Sequence, residues 1–168
     1  MSGTGLLRLG LLFGLCFIGA IATLIPLGPG GGMVPPDLVF CLVLAWVLRA
    51  PEPVPIWALV LLGLMADVLV SRPIGLGALG LVLAAEVMRS LRPRLGGAPF
   101  PLEWLAAAVL FALVLAGMHV ALRLVFTDVP PAMDLVRYHV ATVISYPVAA
   151  LAAGVALRRR RADRGGLT

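Results

Sequence analysis

The stretch ADVLVSRPIGLGAL, residues 66–79, places an acid, a base and two glycines inside a strongly apolar chain. Asp67 precedes the short turn SRP at 71–73, and Arg72 lies within that turn. An ionised side chain is costly in a bilayer, so an acid at this depth either reaches interfacial water or pairs with a cation. We expect Asp67 to pair with Arg72, and Arg123 or His119 are the other candidates.

Two later segments carry polar side chains at helical spacing. Residues three or four apart share one face of a helix. We expect both stripes to face the 66–79 stretch in one polar cluster, used as a structural network, a ligand pocket or an ion relay. The stripes are His119 with Arg123, and His139 with Thr142 and Tyr146.

The sequence offers little for catalysis or metal binding. It contains no HExxH or GxSxG motif, and the two histidines are not spaced as a metal pair. Cys16 and Cys41 lie in apolar runs without a CxxC spacing, which favours buried, inert thiols. We therefore expect a protein without enzymatic activity, cofactor or bound metal.

Composition places the chain in a membrane. It has 168 residues, of which 61% are hydrophobic and 12% charged, and its mean hydropathy is +1.08. Soluble domains usually carry about 25% charged residues. Stretches rich in proline and glycine divide the chain into six apolar segments. These segments predict one all-α integral membrane domain over 1–168 with six transmembrane helices. The segments lie at about 5–26, 34–49, 54–70, 74–91, 101–126 and 134–157.

The distribution of the arginines predicts the orientation of the chain in the membrane. Ten of the thirteen fall on one side of a six-span arrangement, and the positive-inside rule makes that side cytoplasmic, together with both termini. The basic charge therefore marks membrane orientation rather than nucleic-acid binding. A rival arrangement, in which 34–49 does not span, conflicts with the run LVFCLVLAWVL at 38–48. Cleavage of residues 1–22 as a signal peptide remains an alternative for the N-terminus.

The motifs PPDLVFCLVLAWVLRAPEPVP and LMADVLVSRPIGLGAL, within about 34–91, resemble the MreD family of bacterial rod shape-determining membrane proteins. Family positions include a proline before a short second span, a proline hairpin, and an Asp–turn–Gly–Ala–Leu pattern. Ser71 stands where many members have a glycine in the turn. The matching positions here are Pro36, Leu42, Trp46, Pro51, Asp67, Gly75, Ala78 and Leu79.

The resemblance implies an inner-membrane component of the machinery for cell-wall elongation. Such a protein would associate with MreC and, through it, with MreB, RodA and RodA's transpeptidase partner, and would have no small-molecule substrate. Its fold would be similar to the substrate-binding subunits of energy-coupling-factor vitamin transporters. We expect the joint at Asp67, Arg72, Gly75 and Gly77 to shape a groove for the MreC helix. Asp67 would hold the turn through Arg72 or through the backbone amides of residues 71–75. The alternative is a vitamin-capture subunit.

Overall fold

Six helices contain most of the residues that the computed structural model describes, which are 3–24, 34–50, 54–125 and 131–165. This confirms the predicted all-α class. The helices are α1 (Gly3–Thr23), α2 (Leu38–Arg49), α3 (Ile56–Leu69), α4 (Leu76–Leu95), α5 (Phe100–Val125) and α6 (Ala132–Gly165).

Three helix boundaries differ from the prediction by four residues or more, each for a local reason. Helix α2 begins at Leu38 rather than 34 because prolines precede it and Asp37 caps it. Helix α4 continues through Pro93 to Leu95, since a proline in the last turn removes only one hydrogen bond near the helix end. Helix α6 continues into the arginine-rich tail, where arginine is a good helix former. Much of the predicted loops at 26–36, 50–55 and 127–134 lies outside the described residues.

Helix α2 forms the centre of the bundle. Its sequence LVFCLVLAWVLR is apolar on every side, and the ten residues from Val39 to Leu48 are all buried. A helix that is apolar all round lies in a protein core or in a membrane, and here the other helices cover it. The core accordingly forms around α2, with Trp46 among its largest fully buried side chains.

The other five helices surround α2. Neighbouring helices pack in the order α1, α3, α4, α5 and α6, and α2 packs most extensively on α6. The N-terminal end of α2 lies beside the end of α3 and the start of α6, while Arg49 at its other end meets the start of α5. Successive helices therefore run in alternating directions.

Among the described residues, three helices are long and apolar enough to cross a membrane: Gly5–Thr23, Phe100–Leu124 and Ala132–Arg158. Helices α2 and α3 are apolar but shorter. At 1.5 Å per residue, the 12 residues of α2 extend about 18 Å, against about 30 Å of hydrocarbon. Six complete crossings therefore remain a prediction.

Glycine sets the spacing between α3 and α4. A Cβ added to Gly63 of α3 would lie 2.4 Å from the Cα of Ala78 on α4, so no larger residue fits without moving a backbone. Close backbone approach at small residues is how helices pack in lipid, where the hydrophobic effect contributes little to helix association. This contact holds the first turn of α4 against the middle of α3.

Candidate functional site

A buried ion pair anchors the N-terminal end of α2. Arg72 Nη1 donates to Asp37 Oδ2 at 3.0 Å. Tyr138 on α6 donates its hydroxyl hydrogen to the same oxygen at 2.7 Å, and Arg72 Nη2 donates to the Tyr138 hydroxyl oxygen. Thr142 completes what we call the Asp37 cluster (Asp37, Arg72, Tyr138 and Thr142), because its Oγ1 accepts from the Asp37 amide at 2.9 Å.

Each member is placed by its own element. Asp37 is the N-cap of α2, and its Oδ1 accepts from the Phe40 amide at 3.0 Å. Tyr138 and Thr142 are four residues apart, so both lie on the face of α6 that packs on α2. Burial alone lowers the pKa of the Arg72 guanidinium, but Asp37 and Tyr138 raise the pKa by more, so Arg72 stays charged. The cluster ties α2, α6 and the turn after α3 together.

The turn that presents Arg72 is a Schellman motif. The Arg72 amide donates to the Asp67 carbonyl at 2.9 Å, and the Ser71 amide to the Val68 carbonyl at 3.4 Å. Ser71 is left-handed, with φ of 55°, at the position that glycine usually occupies. Ser71, which stands where many family members have a glycine, is therefore the left-handed residue at which the chain reverses.

Asp67 bonds to backbone amides at both the end of α3 and the start of α4. Its carbonyl closes α3, and its side chain, in a residue only 1% exposed, reaches the start of α4. There Oδ2 accepts from the Gly75 amide at 2.9 Å and the Ala78 amide at 3.2 Å. Gly75 is the N-cap of α4 but has no side chain with which to cap, so the carboxylate of Asp67 satisfies these amides instead.

Of the two predicted ways in which Asp67 could hold the turn, the structure shows the bond to backbone amides and not the pair with the Arg72 side chain. The Asp67 carboxylate bonds to backbone amides, while the Arg72 side chain pairs with Asp37, which sequence spacing did not suggest. Oδ1 of Asp67 is buried with no hydrogen-bond partner in the described part of the chain. Asp67 also borders a cavity of about 20 Å³, enough for one water molecule.

The glycines of this joint serve two different purposes. Gly75 has φ of 94°, which only glycine adopts readily, and open space around its Cα. A Cβ on Gly77 would lie 2.0 Å from Asp67 Oδ1, so Gly77 makes room for the carboxylate. Ala78 is buried against Gly63, whereas Leu79 is exposed. The joint thus locks α4 onto α3 internally.

A second polar cluster lies at the other end of α2. Arg49 forms a bidentate ion pair with Glu103 of α5, with Nη1 2.7 Å from Oε1 and Nη2 3.0 Å from Oε2. Tyr146 of α6 donates to Glu103 Oε1 at 2.7 Å. We call these three residues the Glu103 cluster. Sequence reasoning had assigned Tyr146 to the cluster around Asp67 and Arg72, so the predicted single cluster is divided between the two ends of α2.

The remaining predicted residues do not complete a polar cluster. Arg123 is exposed on α5, and His119 lines a cavity. His139 stacks on Phe111 with ring centroids 5.8 Å apart, and its Nδ1 has no hydrogen-bond partner among the described residues. Glu86 pairs at 2.7 Å with Arg89, which lies three residues further along α4.

Tyr138, Arg49 and Glu103 were not among the predicted site residues. Tyr138 and Thr142 have the i, i+4 spacing of a shared face, which was the available signal. Arg49 and Glu103 stand at the ends of their helices, where each has an ordinary explanation as an interfacial anchor or a helix-dipole acid.

A cavity of about 420 Å³ lies beside the Asp37 cluster. Its walls come from the end of α1, the residues before α2, the end of α3 with its turn, α5 and the start of α6. Most of the lining side chains are apolar, and Pro36 is among them; the polar ones include Asp37, Arg72, His119 and Tyr138. The described residues contain no group of three or more metal-ligating side chains.

A family model for the rod shape-determining protein MreD matches residues 5–151. This chain belongs to the MreD family. The match extends beyond the 34–91 motifs to α1, α5 and most of α6, so it includes both polar clusters. Neither a curated protein nor a solved structure matches the chain. This MreD-family protein is therefore a membrane component of the rod shape-determining system.

Proposed function

We propose that this MreD-family protein is a non-catalytic scaffold of the cell-wall elongation complex, which docks the transmembrane helix of MreC. Through MreC it would connect to MreB, RodA and the transpeptidase partner of RodA. The observation that carries the proposal is the family match over residues 5–151. The internal structure supports it, because the charged side chains of both polar clusters bond to one another and fasten helices.

The proposed topology has six crossings in the inner membrane with both termini in the cytoplasm. The alternating helix directions support it, since Arg49 and Arg89 lie at the end of the bundle opposite Arg72. The bias of ten arginines to three then satisfies the positive-inside rule. The short α2 crosses inside protein, where its backbone needs no lipid-facing length.

Helix α1 offers the best docking face for a partner helix. Gly10 and Gly14 are exposed, and a Cβ at either would meet no atom within 4 Å, so neither serves internal packing. A four-residue spacing of small residues lets two helices approach closely in lipid. Leu6, Leu7 and Phe17 flank this pair as exposed apolar side chains. The glycines of the 66–79 joint, by contrast, position α4 against α3 and thereby hold the bundle that presents α1.

Co-purification with MreC tests the proposed face. Gly14→Leu adds a side chain to the docking face, so we expect it to reduce the recovery of MreC. Gly117→Leu is the matched control, because Gly117 is also helical, exposed and without an atom within 4 Å of its added Cβ. Equal recovery of MreC with both variants would refute docking on α1.

A vitamin-capture subunit is the second candidate, and the 420 Å³ cavity is the observation that favours it. Such sites need polar groups that converge on the ligand. Here most of the lining side chains are apolar, and Asp37, Arg72 and Tyr138 bond to one another, so too few polar groups converge to recognise a vitamin, which favours the scaffold. Saturable binding of a vitamin to the purified protein would support capture instead.

A further inference from the structure

The cavity beside the Asp37 cluster has a wall chemistry that suits a hydrocarbon chain. Its volume is about 420 Å³, and Leu115, Met118, Leu122 and Leu135 are among the side chains around it. A dedicated site for a small polar molecule carries several polar groups directed at its ligand. Here three of the polar lining residues, Asp37, Arg72 and Tyr138, bond to one another, so the cavity has a largely apolar body and a polar margin at this cluster.

The surroundings of the cavity indicate which molecules reach it. At this end of the bundle large apolar side chains are strongly exposed, with Ile74 at 74% and Leu124 at 82%, and Leu24 and Met133 more than half exposed. Side chains of this kind in contact with water would be costly, whereas lipid accepts them without penalty. These apolar side chains are therefore in contact with lipid, and the molecules next to the cavity are lipids.

The polar margin indicates the head group. Arg72 has five N–H donors, of which two donate to Asp37 and Tyr138, so others remain for an ester or phosphate oxygen. Two carboxylates, Asp37 and Asp134, line the same cavity. Asp37 pairs with Arg72 at 3.0 Å and Asp134 pairs with Arg137 at 3.5 Å, so these acids and bases balance and suit a head group whose own charges also balance.

We propose that this cavity binds a zwitterionic phospholipid, with one acyl chain between α1, α5 and α6 and the phosphate or ester oxygens at Arg72. This binding site is separate from the MreC-docking face on α1. A lipid bound there fills the cavity beside the α2 cap and leaves the Asp37 cluster intact.

Native mass spectrometry of the purified protein tests the proposal, with phosphatidylethanolamine and phosphatidylglycerol as probes. We expect one phosphatidylethanolamine to be retained in preference to phosphatidylglycerol. Leu122→Trp enlarges a cavity-lining side chain and should abolish that peak, whereas Leu124→Trp, on an exposed position of the same helix, should preserve it. Equal retention by both variants, or a preference for phosphatidylglycerol, would overturn the proposal.

A second measurement uses the unaltered protein and so does not depend on a variant folding. Phosphatidylethanolamine with a photoreactive group in its acyl chain should label peptides containing Met118 and Leu135, which line the cavity. Labelling confined to outward positions such as Leu113 or Leu151 would show only annular lipid and contradict the proposal. Labelling of the cavity by a vitamin analogue, in competition with lipid, would also contradict it.

Discussion

Arg72 Nη1 lies 3.0 Å from Asp37 Oδ2, and this ion pair joins the turn after α3 to the cap of α2 across 35 residues. Tyr138 bonds to both partners from α6. Three elements that are distant in sequence therefore meet at one carboxylate oxygen. Because α2 lies at the centre of the bundle, this contact holds the turn after α3 and helix α6 against the N-terminal end of α2.

Removing Arg72 alone should be more damaging than removing the pair. Arg72→Met leaves the Asp37 carboxylate buried without its cation, and breaking one partner of a buried pair costs about 3–5 kcal/mol. The double variant Asp37→Asn with Arg72→Met should recover part of this loss, since no charge remains unpaired. Thermal unfolding in detergent measures both. A double variant less stable than Arg72→Met would contradict the ion-pair account.

Ser71→Gly should stabilise the protein. Ser71 has φ of 55°, and a left-handed conformation costs an L-residue about 1–2 kcal/mol relative to its preferred regions. Glycine avoids that cost but loses more entropy on folding, so we expect a net gain below about 1 kcal/mol. Chemical or thermal unfolding in detergent checks the sign. Destabilisation by Ser71→Gly would show that the serine side chain contributes more than the turn geometry.

Asp67 shows how far sequence reasoning reached and where it ended. Its position near the end of a helix, beside a tight turn and two glycines, marked it correctly as a residue that needs partners. The partners themselves are set by the angle between α3 and α4, which depends on Gly63 meeting Ala78. Spacing along one helix cannot provide that angle.

The same limit explains the divided polar cluster. The sequence predicted which helix faces carry Tyr146 and His119. It did not predict which part of a neighbouring helix each residue would lie beside. Tyr146 reaches Glu103 because α6 runs past the whole length of α2, so residues two turns apart on one face contact opposite ends of it. The six helices themselves were predictable, since apolar runs and their breakers are local features.

Asp67→Ala should destabilise the start of α4. The change leaves the Gly75 and Ala78 amides without their acceptor, and loss of a helix cap typically costs about 0.5–2 kcal/mol. Asp67→Asn retains one oxygen that can accept from these amides and should cost less. Unfolding in detergent ranks the two variants. Asp67→Asn as damaging as Asp67→Ala would indicate that the charge, rather than the cap, matters.

Gly63→Ala should be strongly destabilising because the added Cβ would lie 2.4 Å from a backbone atom of Ala78. Overpacking of this kind costs about 1–3 kcal/mol. Gly117→Ala is the control in open space, where alanine gains up to about 1 kcal/mol of helix propensity. We expect the two substitutions to change the free energy of unfolding in opposite directions in the same assay. A neutral Gly63→Ala would show that α3 and α4 separate at little cost.

Depletion of the protein in its native host tests the central claim most directly. The scaffold account predicts that rod-shaped cells become round as the protein is lost, and that expression of the intact chain restores the rods. Cells that keep their shape after depletion and acquire a vitamin requirement would contradict that account and support the capture function.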